Sequence, residues 1–269
     1  MRKKSFMSSL VAVPHMVWCA LFIVAPLLFV IYYSFTNTEG SFTLDNLTRL
    51  SDYGDTFLLS VEMSIIATFF AFLVGYPFAY FMARQSETGR KICMILLMLP
   101  MWTNLLIRTY SMMAILDDGG FLNSVLAWIG LGPVHIVGTK GAVIFGMAYD
   151  FFPYMVLPIY TAISKIDNRL MEAAQDLGCN GRRVLTRVVL PLSKSGIISG
   201  ITMVFVPSIS TFYISQKLGG GTFELIGDTI ERQFQVPSTY NIGAMISLVM
   251  MILILISVAV MNRFSESED

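Results

Sequence analysis

The chain has 269 residues, a formal net charge of zero, 55% apolar residues and only 13% charged ones. Soluble domains carry about 25% charged residues, so a water-soluble globule is excluded. The balanced charge gives no global field toward nucleic acid or an acidic surface, and the scattered Cys19, Cys93 and Cys179 show neither a disulfide framework nor metal-ligand spacing.

In chain order, Arg2, Lys3 and Lys4 precede an apolar run from Val11 to Phe35. The run exceeds a signal-peptide core and no small-x-small cleavage site follows it, so it reads as an uncleaved first span near 11–34. Further runs place helices near 58–83, 92–116, 140–163, 196–214 and 242–261. Such runs match the ~30 Å hydrocarbon core at ~1.5 Å rise per residue. Backbone groups in lipid must pair internally, which makes each run a helix and the fold an all-α integral membrane protein with six transmembrane helices. Between the runs, residues 36–57 carry Glu39, Asp45, Asp52 and Asp55 against Arg49, and Asp117-Asp118-Gly119-Gly120 predicts a tight acidic turn. Phe121 to Ile129 reads as a short interfacial helix with Trp128 at headgroup level.

Orientation follows from the basic residues. A cytoplasmic N-terminus puts Arg2, Lys3, Lys4, Arg84, Arg90, Lys91, Lys165, Arg169, Arg182, Arg183, Arg187, Lys194 and Arg263 inside. Only Arg49, Lys140, Lys217 and Arg232 then lie outside, so both termini are expected to be cytoplasmic.

The stretch Ser164 to Ser195, between the fourth and fifth runs, is polar and interhelical. Asp167 or Asn168 is placed to cap a helix start, and Leu170, Ala173, Ala174 and Leu177 recur at i, i+3, i+4 and i+7 as one apolar stripe. Gly178 stands where a left-handed terminator is wanted. Asn180 then caps a second helix bearing Arg182, Arg183 and Arg187, which stops at Leu190-Pro191.

Glu172-Ala173-Ala174, three residues, Gly178, nine residues, Val188, one residue, then Leu190-Pro191 resembles the EAA loop of ABC importer permeases, with Val where that pattern has Ile. The resemblance implies a type I permease fold, a single permease domain over 1–269, and a cytoplasmic coupling loop over 164–195 within it. It implies that the first short helix seats in a groove of a separate ATPase, with Ala173 and Ala174 allowing close approach, Glu172 meeting polar groups, Leu177 on the same face and Gly178 permitting the sharp exit. The chain contains no G-x-x-x-x-G-K-[ST] run, so ATP and magnesium are expected on the partner ATPase; no enzyme activity, cofactor or metal is expected in this chain.

Gly75 to Tyr80, Trp102 to Tyr110, and Phe212 to Ser215 with Gly219-Gly220 look like the spermidine/putrescine permeases, specifically the first permease subunit. That likeness implies a bacterial inner-membrane heterodimer with a second permease, two ATPase subunits and an extracytoplasmic substrate-binding protein. Relatives that move iron, sulfate or amino acids keep other solutes open, and an ion-coupled secondary transporter is the alternative from a different class.

A polyamine is a flexible polycation suited to carboxylates and aromatic faces. Intramembrane ionisable groups are functional candidates by default, which selects Glu62, Arg108 and Asp150. Glu62 reads either as a path carboxylate or as a side chain reaching the outer interface. Asp150 reads as a path residue. A fixed cation repels a polyamine, so Arg108 is assigned as a structural charge partner to Asp150, to Glu62 or to a carboxylate of the second permease. Trp102, Tyr110, Tyr154, Phe212 and Tyr213 complete the candidate path, Trp102 foremost because its segment resembles the family most. Gly196 and Gly200 form a small-xxx-small pair for close helix approach, and a local helix break is expected just after Pro207, over Ser208 to Phe212.

Overall fold

The computed structural model describes the backbone of residues 6–266 and the side chains of residues 13–263; Arg2, Lys3 and Lys4, used above for orientation, lie outside the described residues. The helices are α1 (6–34), α2 (Gly54–Ala83), α3 (Glu87–Trp102), α4 (Leu105–Leu116), α5 (Phe121–Trp128) and α6 (Lys140–Ser164). They continue as α7 (Asn168–Asp176), α8 (Gly181–Leu192), α9 (Lys194–Ser210), α10 (Tyr213–Leu218), α11 (Ile226–Gln235) and α12 (Tyr240–Glu266). Among the described residues, Val13–Ser34, Asp45–Ala83, Lys140–Ser164 and Pro237–Arg263 are long and apolar enough to cross a membrane, and two bent pairs raise four spans to six if each pair counts as one.

Two of the predicted spans are interrupted. The run at 92–116 is not one helix: the chain bends by 97° between Glu87–Trp102 and Leu105–Trp128. Thr103 is extended, and Asn104 starts a new helix by accepting the Leu106 amide at 2.8 Å on its side-chain oxygen. Hydropathy cannot register such a break, because two short polar residues are outvoted by their apolar neighbours. The run at 196–214 likewise stops at Ser210, and the expected break falls at Thr211 and Phe212 before α10 resumes at Tyr213. α11 has no counterpart among the predicted elements, although Ile226, Ile230 and Phe234 recur every four residues along it. The expected interfacial helix is α5, and its Trp128 is fully open at 87% exposure.

Within α1, residues Ala20–Val24 form a π turn, and the Ala25 amide donates to the Ala20 carbonyl just before Pro26. A second π turn, Leu185–Val189, lies in α8 just before Pro191. Each widened turn adjoins a residue that has no amide hydrogen to give.

The chain divides into two compact units. The first holds the described residues up to Gly54 with Thr229–Leu253. There Asn241 of α12 donates to the carbonyls of Tyr33 at 3.1 Å and Thr36 at 2.8 Å, satisfying the C-terminal end of α1. Tyr240 packs edge-on against both Tyr33 and Phe234.

The second unit comprises Asp55–Asp228 and the C-terminal stretch from Ile254. One buried cluster joins Ala71, Tyr76 and Ala79 of α2 to Met155, Val156 and Ile159 of α6, Val204 of α9, and Met171, Val184 and Val189 of the α7–α8 loop. Another joins Met63 and Ala67 to Met112, Met147, Ile214 and Leu218. α6 and α9 approach through Gly196, where a Cβ would fall 2.5 Å from that of Ala162 and 2.7 Å from the Pro158 carbonyl oxygen. A Cβ at Gly200 would lie 2.9 Å from the Met155 carbonyl oxygen, so the spacing of these two glycines sets how near the backbones come.

Candidate functional site

Two groups of sequence-selected residues occupy different places in the second unit. The first is the loop from Ser164 to Ser195. Asp167, rather than Asn168, caps α7, accepting the Arg169 amide at 3.0 Å on its carboxylate. At the other end the Gly178 amide bonds the Gln175 carbonyl at 2.8 Å and the Cys179 amide bonds the Ala174 carbonyl at 3.0 Å. These are the paired bonds of a Schellman terminator, and they need the φ of +83° that Gly178 adopts. Asn180 caps α8 by accepting the Arg183 amide at 3.0 Å.

The stripe read from the sequence splits in the folded loop. Leu170, Ala173 and Leu177 face outward, with Leu170 at 52% and Leu177 at 87% exposure, and Glu172 is exposed beside them. Ala174 is half-buried against the core instead. The anchor that sequence reasoning missed is Met171, buried at 5% exposure in the same cluster as Tyr76 and Met155. Its i, i+3 spacing to Ala174 was the signal, hidden beneath the longer stripe from Leu170 to Leu177. Arg84 at the end of α2 touches this anchor, donating to Tyr80 Oη at 2.8 Å and to Met171 Sδ at 3.0 Å. The first helix of the loop is therefore anchored to the spans through Met171. The loop leaves Leu170, Ala173 and Leu177 exposed, together with Arg169, Arg182, Arg183 and Arg187.

The second group surrounds the break between α3 and α4. Arg108 on α4 pairs with Asp150 on α6, and both side chains are largely withdrawn from solvent, at 13% and 0% exposure. Arg108 Nη1 also donates to the Pro100 carbonyl at 2.9 Å, across the break. Thr103 bonds the same carbonyl through its hydroxyl at 2.6 Å and its amide at 3.2 Å. One guanidinium thus neutralises a carboxylate in the span and adds a further hydrogen bond to the end of α3. A cavity of about 510 Å³ opens beside it, lined by Pro100, Thr103, Arg108, Ser111 and Tyr149 among apolar side chains.

The remaining candidates divide. Tyr110 and Tyr213 meet edge to face at 6.3 Å, and Lys217 Nζ lies 5.2 Å and 5.8 Å from their ring centroids. Lys217, placed from sequence in the segment after the fifth run, belongs to the last turn of α10. The signal was the i, i+4 spacing of Tyr213 and Lys217. Phe212 is 42% exposed at the α9–α10 break. Tyr154 lines a groove of about 890 Å³ with Pro158, Thr161, Lys165, Ser195 and Ser199. Trp102, at the end of α3, is 79% exposed, and Glu62 is exposed on α2 with no ion-pair partner among the described residues.

Residues 75–267 match the family of binding-protein-dependent transport system inner membrane components. The chain is 38% identical over 262 residues to the spermidine/putrescine transport system permease protein PotB of Salmonella typhimurium, covering 94% of this chain and 91% of that protein. It is 39% identical over 245 residues to the Escherichia coli protein of the same description, covering 87% and 89%. A solved structure of a bacterial ABC transporter involved in the import of the acidic polysaccharide alginate superposes with a TM-score of 0.78 at 19% identity, covering 99% of this chain and 97% of that one.

Proposed function

The chain belongs to the family of binding-protein-dependent transport system inner membrane components, and from that premise we propose that it is the permease subunit of an ATP-driven importer of spermidine and putrescine. It is a multi-pass inner-membrane protein with the helical fold of ABC transporter permeases. The likeness to spermidine/putrescine permeases over nine-tenths of the chain supports the cargo. Both termini and the 164–195 loop face the cytoplasm in this reading, within one permease domain.

The observation that carries the reading is α7 itself: a capped helix with Met171 locked in the core and Leu170, Ala173 and Leu177 open on the other side. A helix so anchored moves with the spans and seats its small face in a partner. That partner is a cytoplasmic ATPase, which binds ATP and magnesium, since this chain holds no phosphate-cradling run. Two ATPase subunits, a second permease and an extracytoplasmic binding protein complete the assembly, and closure of the ATPases on ATP draws the coupling helices together and tilts the spans.

In the path, Asp150 acts first through Arg108: the pair fixes the α3–α4 break and leaves no net charge there. Tyr110, Tyr213 and Phe212 supply aromatic faces, and Trp102, Tyr154 and Glu62 remain available to cargo from the exposed sides of their helices. Cargo ammonium groups bind such faces as the Lys217 ammonium does.

The test is ATP-dependent uptake of labelled spermidine and putrescine by the reconstituted complex, with an amino acid and a metal ion as competitors. Both polyamines should be taken up and neither competitor should interfere. Failure of both polyamines would discard the cargo while leaving the permease class.

A further inference from the structure

The joint between the coupling loop and the spans contains a buried polar contact that the site described so far does not use. α8 and α9 meet at an angle of 70°. The residue at the corner is Ser193, whose backbone leaves helical geometry at φ −97° and ψ 6°. Ser193 is fully buried, and its Oγ lies 3.1 Å from the hydroxyl of Tyr76, which is 6% exposed in the C-terminal third of α2. Ser193 Oγ also donates to the Leu190 carbonyl at 3.2 Å. A serine has one hydroxyl hydrogen, so with that hydrogen directed at Leu190, Tyr76 is the donor in the longer-range contact.

We propose that Tyr76 is a positioning residue that ties the α8–α9 corner to α2, so that movement of the coupling loop reaches both helices together. The inference rests on the coupling reading of α7 and α8.

Three features support it. The Tyr76 ring belongs to the apolar cluster that holds Met171, Val184 and Val189, a place that a phenylalanine would fill equally well. The hydroxyl is the one atom that needs a polar partner there, and it finds one at the corner rather than within α2. Next, Pro77 follows it and has no amide for the Leu73 carbonyl, so α2 lacks one rung of its ladder at this level. Finally, the corner is preceded by the π turn Leu185–Val189, a form of helix that tolerates changes of register and marks functional segments. A deformable level of α2 and a deformable corner are thus joined by one hydrogen bond. Without it, a push on α7 would be taken up by bending at the corner, and ATP would be spent with less transport.

The experiment uses the complete complex in proteoliposomes with its binding protein, measuring spermidine taken up per ATP hydrolysed for wild type, Tyr76→Phe, Ser193→Ala and the double variant. Tyr76→Phe keeps the ring and removes only the hydroxyl. The ratio should fall about three- to tenfold, the range one net hydrogen bond spans, while ATP hydrolysis continues. The double variant should be no worse than Ser193→Ala, because the two groups act as one contact. A wild-type ratio in Tyr76→Phe, or additive losses in the double variant, would overturn this inference alone. No uptake by the wild-type complex would overturn the functional reading on which it rests. Should Ser193→Ala assemble poorly, Tyr76→Phe decides by itself.

Discussion

Arg108 and Asp150, 42 residues apart in the chain, form an ion pair in which the arginine also donates to the Pro100 carbonyl, so that one side chain bridges two helices and a gap between helices. The carboxylate oxygens meet no other donor among the described residues, which makes Asp150 dependent on Arg108.

Removing one partner therefore leaves an unpaired buried charge. Arg108→Met should destabilise the protein by about 3–5 kcal/mol, and Arg108→Met with Asp150→Leu should recover much of that loss. Thermal unfolding of the detergent-solubilised complex measures it. If the double variant is as unstable as the single, the pair is not the reason for the loss.

Gly178 holds a φ of +83° with open space around it, so the obstacle to a side chain is backbone strain alone. Gly178→Ala should cost about 1 kcal/mol and leave a reduced rate of uptake. Gly178→Trp adds bulk beside the docking face and should abolish uptake while membrane insertion stays normal, as judged by quantitative membrane immunoblotting. Normal uptake by that variant would remove the coupling assignment.

Leu177 is 87% exposed and touches little within its own chain. Leu177→Asp should change stability by less than about 0.5 kcal/mol. It should nevertheless weaken retention of the ATPase by about tenfold, as expected for a charge set into a small apolar contact. Co-purification at graded detergent and salt reads the difference, and full retention of the ATPase would place docking elsewhere.

Tyr110 offers its ring to the Lys217 ammonium at 5.2 Å. If cargo ammonium groups use the same face, Tyr110→Phe should keep the half-saturating spermidine concentration and Tyr110→Leu should raise it by about three- to thirtyfold, equivalent to roughly 0.5–2 kcal/mol of cation–π attraction. Equal effects of Phe and Leu would point to the hydroxyl or to packing.

Hydropathy located the spans because lipid demands long apolar runs, and cap chemistry located α7 and α8 because Asp167, Gly178 and Asn180 each solve a local backbone problem. The break at Thr103–Asn104 was hidden because averaging over a window erases two polar residues, although Asn104 is a good cap by the same rules that worked at Asn180. The Arg108–Asp150 partnership was among the options weighed from composition, yet only packing selects Asp150 over Glu62, which is exposed on another helix. Met171 and Lys217 were missed for opposite reasons. Met171 shares only one face partner, Ala174, and is outcompeted by the longer outward stripe, whereas a lysine at the edge of an apolar run reads as solvent-facing until the rings beneath it are seen.

The π turn Leu185–Val189 carries one residue more than the α-helix that surrounds it would need. Deleting one residue from that stretch would close it into a regular α-helix and leave the residues downstream facing as they do now. Gly196 and Gly200 would stay against Ala162, Pro158 and Met155, and only the widened turn would be lost. Homologous chains should then vary in residue type at exposed Thr186 and Arg187, and chains one residue shorter here should keep the α6–α9 contact. At this short segment one residue can be gained or lost, whereas the facing of the two glycines beyond it cannot change.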